Sequence, residues 1–253
     1  MTSTPILLSR RCGAGSIQMP SAADEKSPTA RPVGFFDSGV GGRCVLDAFR
    51  KLCPLEKTVY LADTEHCPYG NRPAEEVVCL AEACVRRLLG RGCKMIVVAC
   101  NTATAAAIDV LRAEYPDIPF VGMEPALKPA ALTTRSGVIG VLATAGTLRG
   151  RLYGETKARF AKDVKVVTAV ADEFVRLVER GETSGPEVER IVRERVEPLL
   201  EAGADRIVLG CTHFPHLKPV IELVCAGRAE VVDSSEAVAR QARRILASRG
   251  LLA

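Results

Sequence analysis

KMIVVACNTATAAA, Lys94 to Ala107, is the stretch that decides how this chain folds. A short apolar run of β-type residues leads to Cys100-Asn101-Thr102 and then to an alanine-rich helix start. DRIVLGCTHFPHL, Asp205 to Leu217, repeats the plan: Ile207, Val208 and Leu209 lead through Gly210 to Cys211-Thr212-His213. Each cysteine closes a predicted strand and is followed by polar residues. The two stretches read as two halves of one site.

Strands and helices alternate on either side of these stretches. Val33–Phe36 is an apolar strand running into Asp37-Ser38-Gly39-Val40-Gly41-Gly42 and then a helix. Such a glycine-rich turn exposes backbone N–H groups at a helix start. Asp37 stands at the carboxyl end of its strand, where ligands bind in open α/β sheets. Thr58–Ala62 is a strand followed by a Pro-, Gly- and Asn-rich loop, and Pro73 opens a helix to Leu89. Further strands are expected at Phe120–Met123, Gly137–Ala143, Val164–Val170 and Val231–Asp233, with helices from Pro186 to Leu200 and from Glu236 to Ala247. The fold class is α/β: two similar domains with mostly parallel sheets flanked by helices, facing each other across a cleft.

The chain has 253 residues, 47% apolar and 25% charged, with a net charge of +4. That balance demands neither nucleic acid nor membrane as a direct partner. No apolar run approaches the roughly 18 residues of a membrane span. The ten cysteines are scattered, and several (Cys79, Cys84, Cys93) lie in ordinary apolar patterns. No secretory signal is read, so a reducing cytoplasm is expected, with most cysteines acting as small buried hydrophobes. Residues 1–32 are rich in Ser, Thr, Pro, Ala and Gly and read as a disordered extension, with a transit peptide as the alternative.

Two thiols in matching settings suggest one reaction class. Inversion of a stereocentre needs a base on one face of a carbon and an acid on the other, and the roles swap in reverse. The two groups should therefore be alike. A thiol of pKa near ~8.5 is mostly protonated at neutral pH, and a helix N-terminus after each cysteine is expected to lower that value. The polar groups of Asn101, Thr102, Thr144, Thr147 and Thr212 suit the carboxylates and ammonium of an amino acid, although such residues also cap helices. Rival readings are a single-cysteine hydrolase and a zinc site from Cys211, His213 and His216. The expected metal content is none, because no C-x-x-C or H-x₃-H pair is present. No lysine follows a motif strand in a position to hold pyridoxal phosphate, so a reaction without cofactors is favoured.

FDSGVGG (Phe36–Gly42), PYG with RPAEEV (Pro68–Val77), ACNTATA (Ala99–Ala105), MEP (Met123–Pro125), FVRLVE (Phe174–Glu179) and GCTHFP (Gly210–Pro215) occur in one order. Together they resemble the aspartate/glutamate racemase family, and its glutamate members rather than its aspartate ones. The resemblance implies two α/β domains with the active site between them, residues 33–124 with 231–253 and residues 125–230. It implies a cofactor-free, two-base interconversion of L- and D-glutamate, with Cys100 and Cys211 as the acid/base thiols. Asp37 would assist Cys100, and Glu179 with His213 would assist Cys211. Substrate contacts would come from Asp37, Ser38, Tyr69, Gly70, Asn101, Thr102, Thr212 and His213. The family supplies D-glutamate for peptidoglycan, and its members are usually homodimers. Some bind DNA gyrase, so a gyrase-binding protein that keeps the fold is an alternative, as is a racemase of aspartate. The family's usual Cys-Pro pair before the FVxLVE motif is replaced here by Ala171-Asp172-Glu173.

Overall fold

Aliphatic runs bounded by glycine, proline or charge form the strands. In the computed structural model, which describes residues 27–253, they build two parallel four-stranded sheets. The first contains β1 (Val33–Asp37), β2 (Thr58–Ala62), β3 (Met95–Val98) and β4 (Phe120–Val121) in the order β2-β1-β3-β4. The second contains β5 (Val138–Ala143), β6 (Lys165–Val170), β7 (Arg206–Gly210) and β8 (Glu230–Val232) in the order β6-β5-β7-β8. The order is the same in both, so β3 and β7 occupy equivalent places. Phe36 is level with Val98, and Ala143 with Gly210, which brings the chemical residues to the carboxyl edges of the sheets.

Both faces of each sheet are covered, so the central strands are apolar throughout instead of alternating. Phe36, Ile96 and Val98 face α2 (Ala74–Leu89) and α3 (Asn101–Glu114). Phe35, Met95 and Val97 face α1 (Arg43–Leu52) and the last helix, α10 (Ser235–Ser248). In the second sheet Leu142, Ile207 and Leu209 pack on α7 (Asp172–Glu179), α8 (Pro186–Glu201) and α9 (Lys218–Cys225). Ile139, Val141 and Val208 meet α4 (Leu127–Thr133) and α6 (Arg151–Phe160), with α5 (Ala145–Arg149) between them in sequence. Each such aliphatic side chain contributes about 1.5–3 kcal/mol by burial.

Three expectations need correction. Val231 and Val232 pair with β7 and complete the second sheet, so the chain returns to the first sheet at Asp233-Ser234, with α10, and not at Val231. Ser27 to Pro32 do not belong to a disordered extension: Pro28–Ala30 form a 3-10 turn, Arg31 Nε donates to Gly92 O at 2.8 Å, and Lys94 Nζ donates to Thr29 O at 2.6 Å. The rest of that extension, residues 1–26, lies outside the described residues. Among the described residues eight cysteines carry free thiols, in line with the reading of most of them, but Cys79 on α2 departs from it and is disulfide-bonded.

A buried ion pair ties both ends of the described chain to the base of β3. Lys94 Nζ lies 2.7 Å from Glu56 Oε2, with both side chains 2% exposed. Lys94 also donates to Leu251 O at 2.8 Å, and Glu56 Oε1 accepts the Ala253 N–H at 2.7 Å. Lys94→Met leaves the Glu56 charge buried with the Ala253 N–H but no cation beside it, and is expected to cost about 3–5 kcal/mol in urea unfolding. Adding Glu56→Leu should recover most of that loss, whereas a single variant as stable as the parent would contradict the assignment.

Candidate active site

Cys100 occupies the N-cap of α3, and its Sγ accepts the Ala103 N–H at 3.4 Å and lies 3.7 Å from Ser38 Oγ. Burial, then the charge of Asp37, pushes its thiol up to about 12, against the Ala103 N–H and Ser38, which favour the thiolate. Cys211 follows β7 and is succeeded by a 3-10 turn, Phe214–Leu217, before α9 begins. Its Sγ lies 3.8 Å from His213 Nδ1. Burial raises this thiol well above its ordinary value, against the His213 backbone N–H. The sequence expectation of lowered thiol pKa values is therefore overturned. Desolvation outweighs the helix-cap interaction at Cys100, and Cys211 has no α-helix immediately behind it.

Each thiol has a carboxylate nearby. Asp37, fully buried at the end of β1, accepts the N–H groups of Gly39 (3.2 Å) and Gly42 (3.0 Å) on Oδ2. Its Oδ1 accepts the Thr212 hydroxyl at 3.2 Å, a bond from the second sheet's edge to the first's. Burial raises the Asp37 pKa; the His213 charge and the turn's N–H groups oppose the shift. Glu179, at the end of α7, lies 2.6 Å from His213 Nε2 and accepts the Val40 N–H at 2.8 Å. Partial burial works against the Glu179 charge, but the hydrogen bonds from His213 and Val40 prevail and hold its pKa below the usual value. Gly41 allows the close approach: a Cβ there would stand 2.7 Å from the His213 backbone nitrogen.

The predicted substrate contacts divide into two groups. Thr102, Thr144 and Thr147 come together from both halves, with hydroxyl separations of 2.9 Å (Thr102–Thr144), 3.4 Å (Thr102–Thr147) and 3.0 Å (Thr144–Thr147). Gly70 abuts Thr144, and Ser38 abuts Cys100. The Asn101 amide is buried with neither Nδ2 nor Oδ1 hydrogen-bonded, and it faces a small cavity shared with Thr147 and Tyr153. Tyr69 is set apart from these: it is 1% exposed, and its hydroxyl donates to Asp63 Oδ2 at 2.5 Å.

His216 Nε2 lies 3.4 Å from Gly41 O, and among the described residues the ligand atoms that gather closely enough to share one ion are those of Cys67, Glu179 and His213, not the C-x-H-x-x-H set. Asp172, where the family pattern differs, accepts the Ala145 N–H at 3.3 Å at the start of α5, and α7 still delivers Glu179 to His213. Sequence reasoning passed over Cys67, whose sulfur approaches both Glu179 and His213. The Cys67-Pro68-Tyr69-Gly70 run was the available signal. A larger groove follows the two crossovers, Met123–Ala126 and Val232–Ser234, and neither Cys100 nor Cys211 lines it. Among the described residues no helix is long and apolar enough to cross a membrane.

The Asp/Glu/Hydantoin racemase family model matches residues 43–242. A glutamate racemase from Roseiflexus sp. is 48% identical over 224 residues, covering 88% of this chain and 82% of that protein. The structure of glutamate racemase isoform RacE1 from Bacillus anthracis superposes with a TM-score of 0.81 at 33% identity, covering 89% of this chain and 85% of the other. Escherichia coli glutamate racemase, in complex with L-glutamate and the activator UDP-MurNAc-ala, gives a TM-score of 0.79 at 36% identity, covering 86% and 83%. Matched over most of its length by the family model and by relatives of this similarity, the chain belongs to the Asp/Glu/Hydantoin racemase family.

Proposed function

We propose that this protein interconverts L- and D-glutamate by proton transfer at the α-carbon, with Cys100 and Cys211 on opposite faces of the substrate. The observation that carries the reading is the matched placement of two buried thiols, one after β3 and one after β7, each with its own carboxylate-containing partner group. The identity to glutamate racemases supports glutamate as the substrate.

A protonated thiol cannot accept the α-proton, so whichever thiol acts as the base in a given direction must first become a thiolate. Asp37 serves Cys100, and His213, oriented by Glu179, serves Cys211. Burial disfavours thiolates, but for the same reason a thiolate formed there is a stronger base toward a very weak carbon acid. One thiolate removes the proton, the opposite thiol returns one, and the two roles are exchanged at the end of the turnover. Thr102, Thr144, Thr147 and Asn101 supply polar groups for the substrate's carboxylates and ammonium. Sequestered from water, such groups stabilise the charge that develops on the carboxylate during deprotonation. The family resemblance supports a cytoplasmic homodimer supplying D-glutamate for peptidoglycan. Its rivals are a racemase acting on aspartate and a gyrase-binding protein that keeps the fold. One methylene separates aspartate from glutamate and would draw the distal carboxylate out of hydrogen-bond reach.

The direct test is chelator-treated protein without pyridoxal phosphate, incubated with L-glutamate in D₂O. Loss of optical rotation with one α-deuterium in the new D-isomer is expected. No inversion and no exchange from folded protein would sink the reading.

Assistance by Asp37 and Glu179 has a separate signature. The two enantiomers are equal in energy, so any variant must lower kcat/KM by the same factor in both directions. We expect Asp37→Asn and Glu179→Gln each to lower it by about 100-fold. The asymmetry appears in α-deuterium isotope effects, which should grow for one enantiomer in Asp37→Asn and for the other in Glu179→Gln. Growth for the same enantiomer in both would refute separate assistance.

The acid limb of the pH profile has a defined sign. Asp37 must be charged to take a proton, and its pKa is raised by burial, so kcat/KM should fall with decreasing pH already above the usual carboxylate range. Asp37→Asn should remove that limb from the residual activity, and an unchanged limb would exclude Asp37 as its source.

A further inference from the structure

Cys67 plays no part in the proposed proton transfers, yet its sulfur reaches into the Glu179–His213 pair. One ligand atom from each of Cys67, Glu179 and His213 lies within 4.8 Å of the other two. Thiolate sulfur, imidazole nitrogen and carboxylate oxygen form a donor set suited to zinc. Ideal tetrahedral bonds would bring these atoms to about 3.3–3.6 Å from one another. Seating an ion therefore draws the sulfur in by at most about an ångström and opens the 2.6 Å His213–Glu179 contact by a comparable amount. Gly39 has no side chain to displace the Glu179 carboxylate from beside Cys67. A Cβ at that position would fall 1.9 Å from Glu179 Oε1 and 3.1 Å from Cys67 Sγ. Cys67 and Glu179 are half-buried and His213 is buried, so an ion has an open approach and a partly dry seat.

We propose that Cys67, Glu179 and His213 form an inhibitory binding site for a zinc-like divalent cation beside Cys211. Binding displaces the Cys67 proton, so one cation enters and one proton leaves from that thiol. His213 then uses Nε2 for the metal and carries its proton on Nδ1, the nitrogen 3.8 Å from Cys211 Sγ. It can no longer accept the Cys211 proton. Glu179 is withdrawn from the same task. A fourth coordination position remains for water or a substrate carboxylate.

The test has a binding readout independent of the racemase reading. Chelator-treated protein is titrated with Co²⁺, and with Zn²⁺ in parallel equilibrium dialysis. Expected are one tight equivalent per chain and a sulfur-to-cobalt charge-transfer band. Both should be retained by Cys100→Ser, while Cys67→Ser should weaken binding by more than about 100-fold, beyond the loss that an outer partner alone causes. In the activity assay Zn²⁺ should inhibit the parent reversibly, with activity restored by chelator. Cys67→Ser should keep the parent's metal-free rate, which shows it is folded, and resist the same zinc concentration. Loss of binding in Cys100→Ser with retention in Cys67→Ser would place the metal on the paired thiols and overturn the proposal. So would the absence of a tight equivalent in the parent. If glutamate is not turned over but the cobalt band appears and follows Cys67, the racemase reading fails and the metal site stands.

Discussion

A carboxylate with no access to water must be compensated locally, and the architecture around Asp37 meets that demand from two directions. Gly39 and Gly42 of the turn after β1 donate N–H groups to one oxygen, and Thr212 from the far side of the cleft donates its hydroxyl to the other. Removing any of these donors leaves buried charge underpaired, at a cost of several kcal/mol in the worst case. The turn therefore has to be glycine-rich and tight, and the two sheet edges have to meet. Glu179 makes a second tie, joining the Val40 N–H of the same turn to His213 of the opposite side. The bonds that bring the two sheets together thus use the groups proposed to serve the thiols.

Burial sets the chemical character of the cleft. Burial drives both thiols toward their neutral forms, the opposite of what a permanently ionised nucleophile needs. The same desolvation gives the thiolate, once formed, more basicity to offer. Asp37 shifts upward and Glu179 downward, so the two carboxylates proposed to assist the thiols are not electrostatic copies, even though the two sheets are ordered alike. Asp37 hydrogen-bonds to backbone donors and a hydroxyl and feels the His213 charge only through space, whereas Glu179 is directly paired with that imidazole.

Much of this was legible in the sequence because buried parallel strands announce themselves as continuous apolar runs. VIGVLA, MIVV and RIVLG left little choice of element, and the polar residue after each strand marked the reactive edge. The direction of the thiol shifts was not legible, because burial depends on helices and loops distant in sequence. The place of β8 was missed for a similar reason: three residues of strand carry no sign of which sheet they join. The helix Leu127–Thr133 was hidden by Pro129 within a short segment. Cys67 looked like one more loop cysteine until the chain between Asp63 and Pro73 was folded against α7.

The central claim is that Cys100 and Cys211 act on opposite faces of one carbon. Its most direct test uses Cys100→Ala and Cys211→Ala separately, each incubated in D₂O with pure L-glutamate and pure D-glutamate while α-deuterium is followed by mass spectrometry. The account predicts no racemisation by either variant. It also predicts slow deuterium wash-in to one enantiomer only, the opposite enantiomer for the two variants. Exchange of the same enantiomer by both, or full racemisation by either, would contradict it.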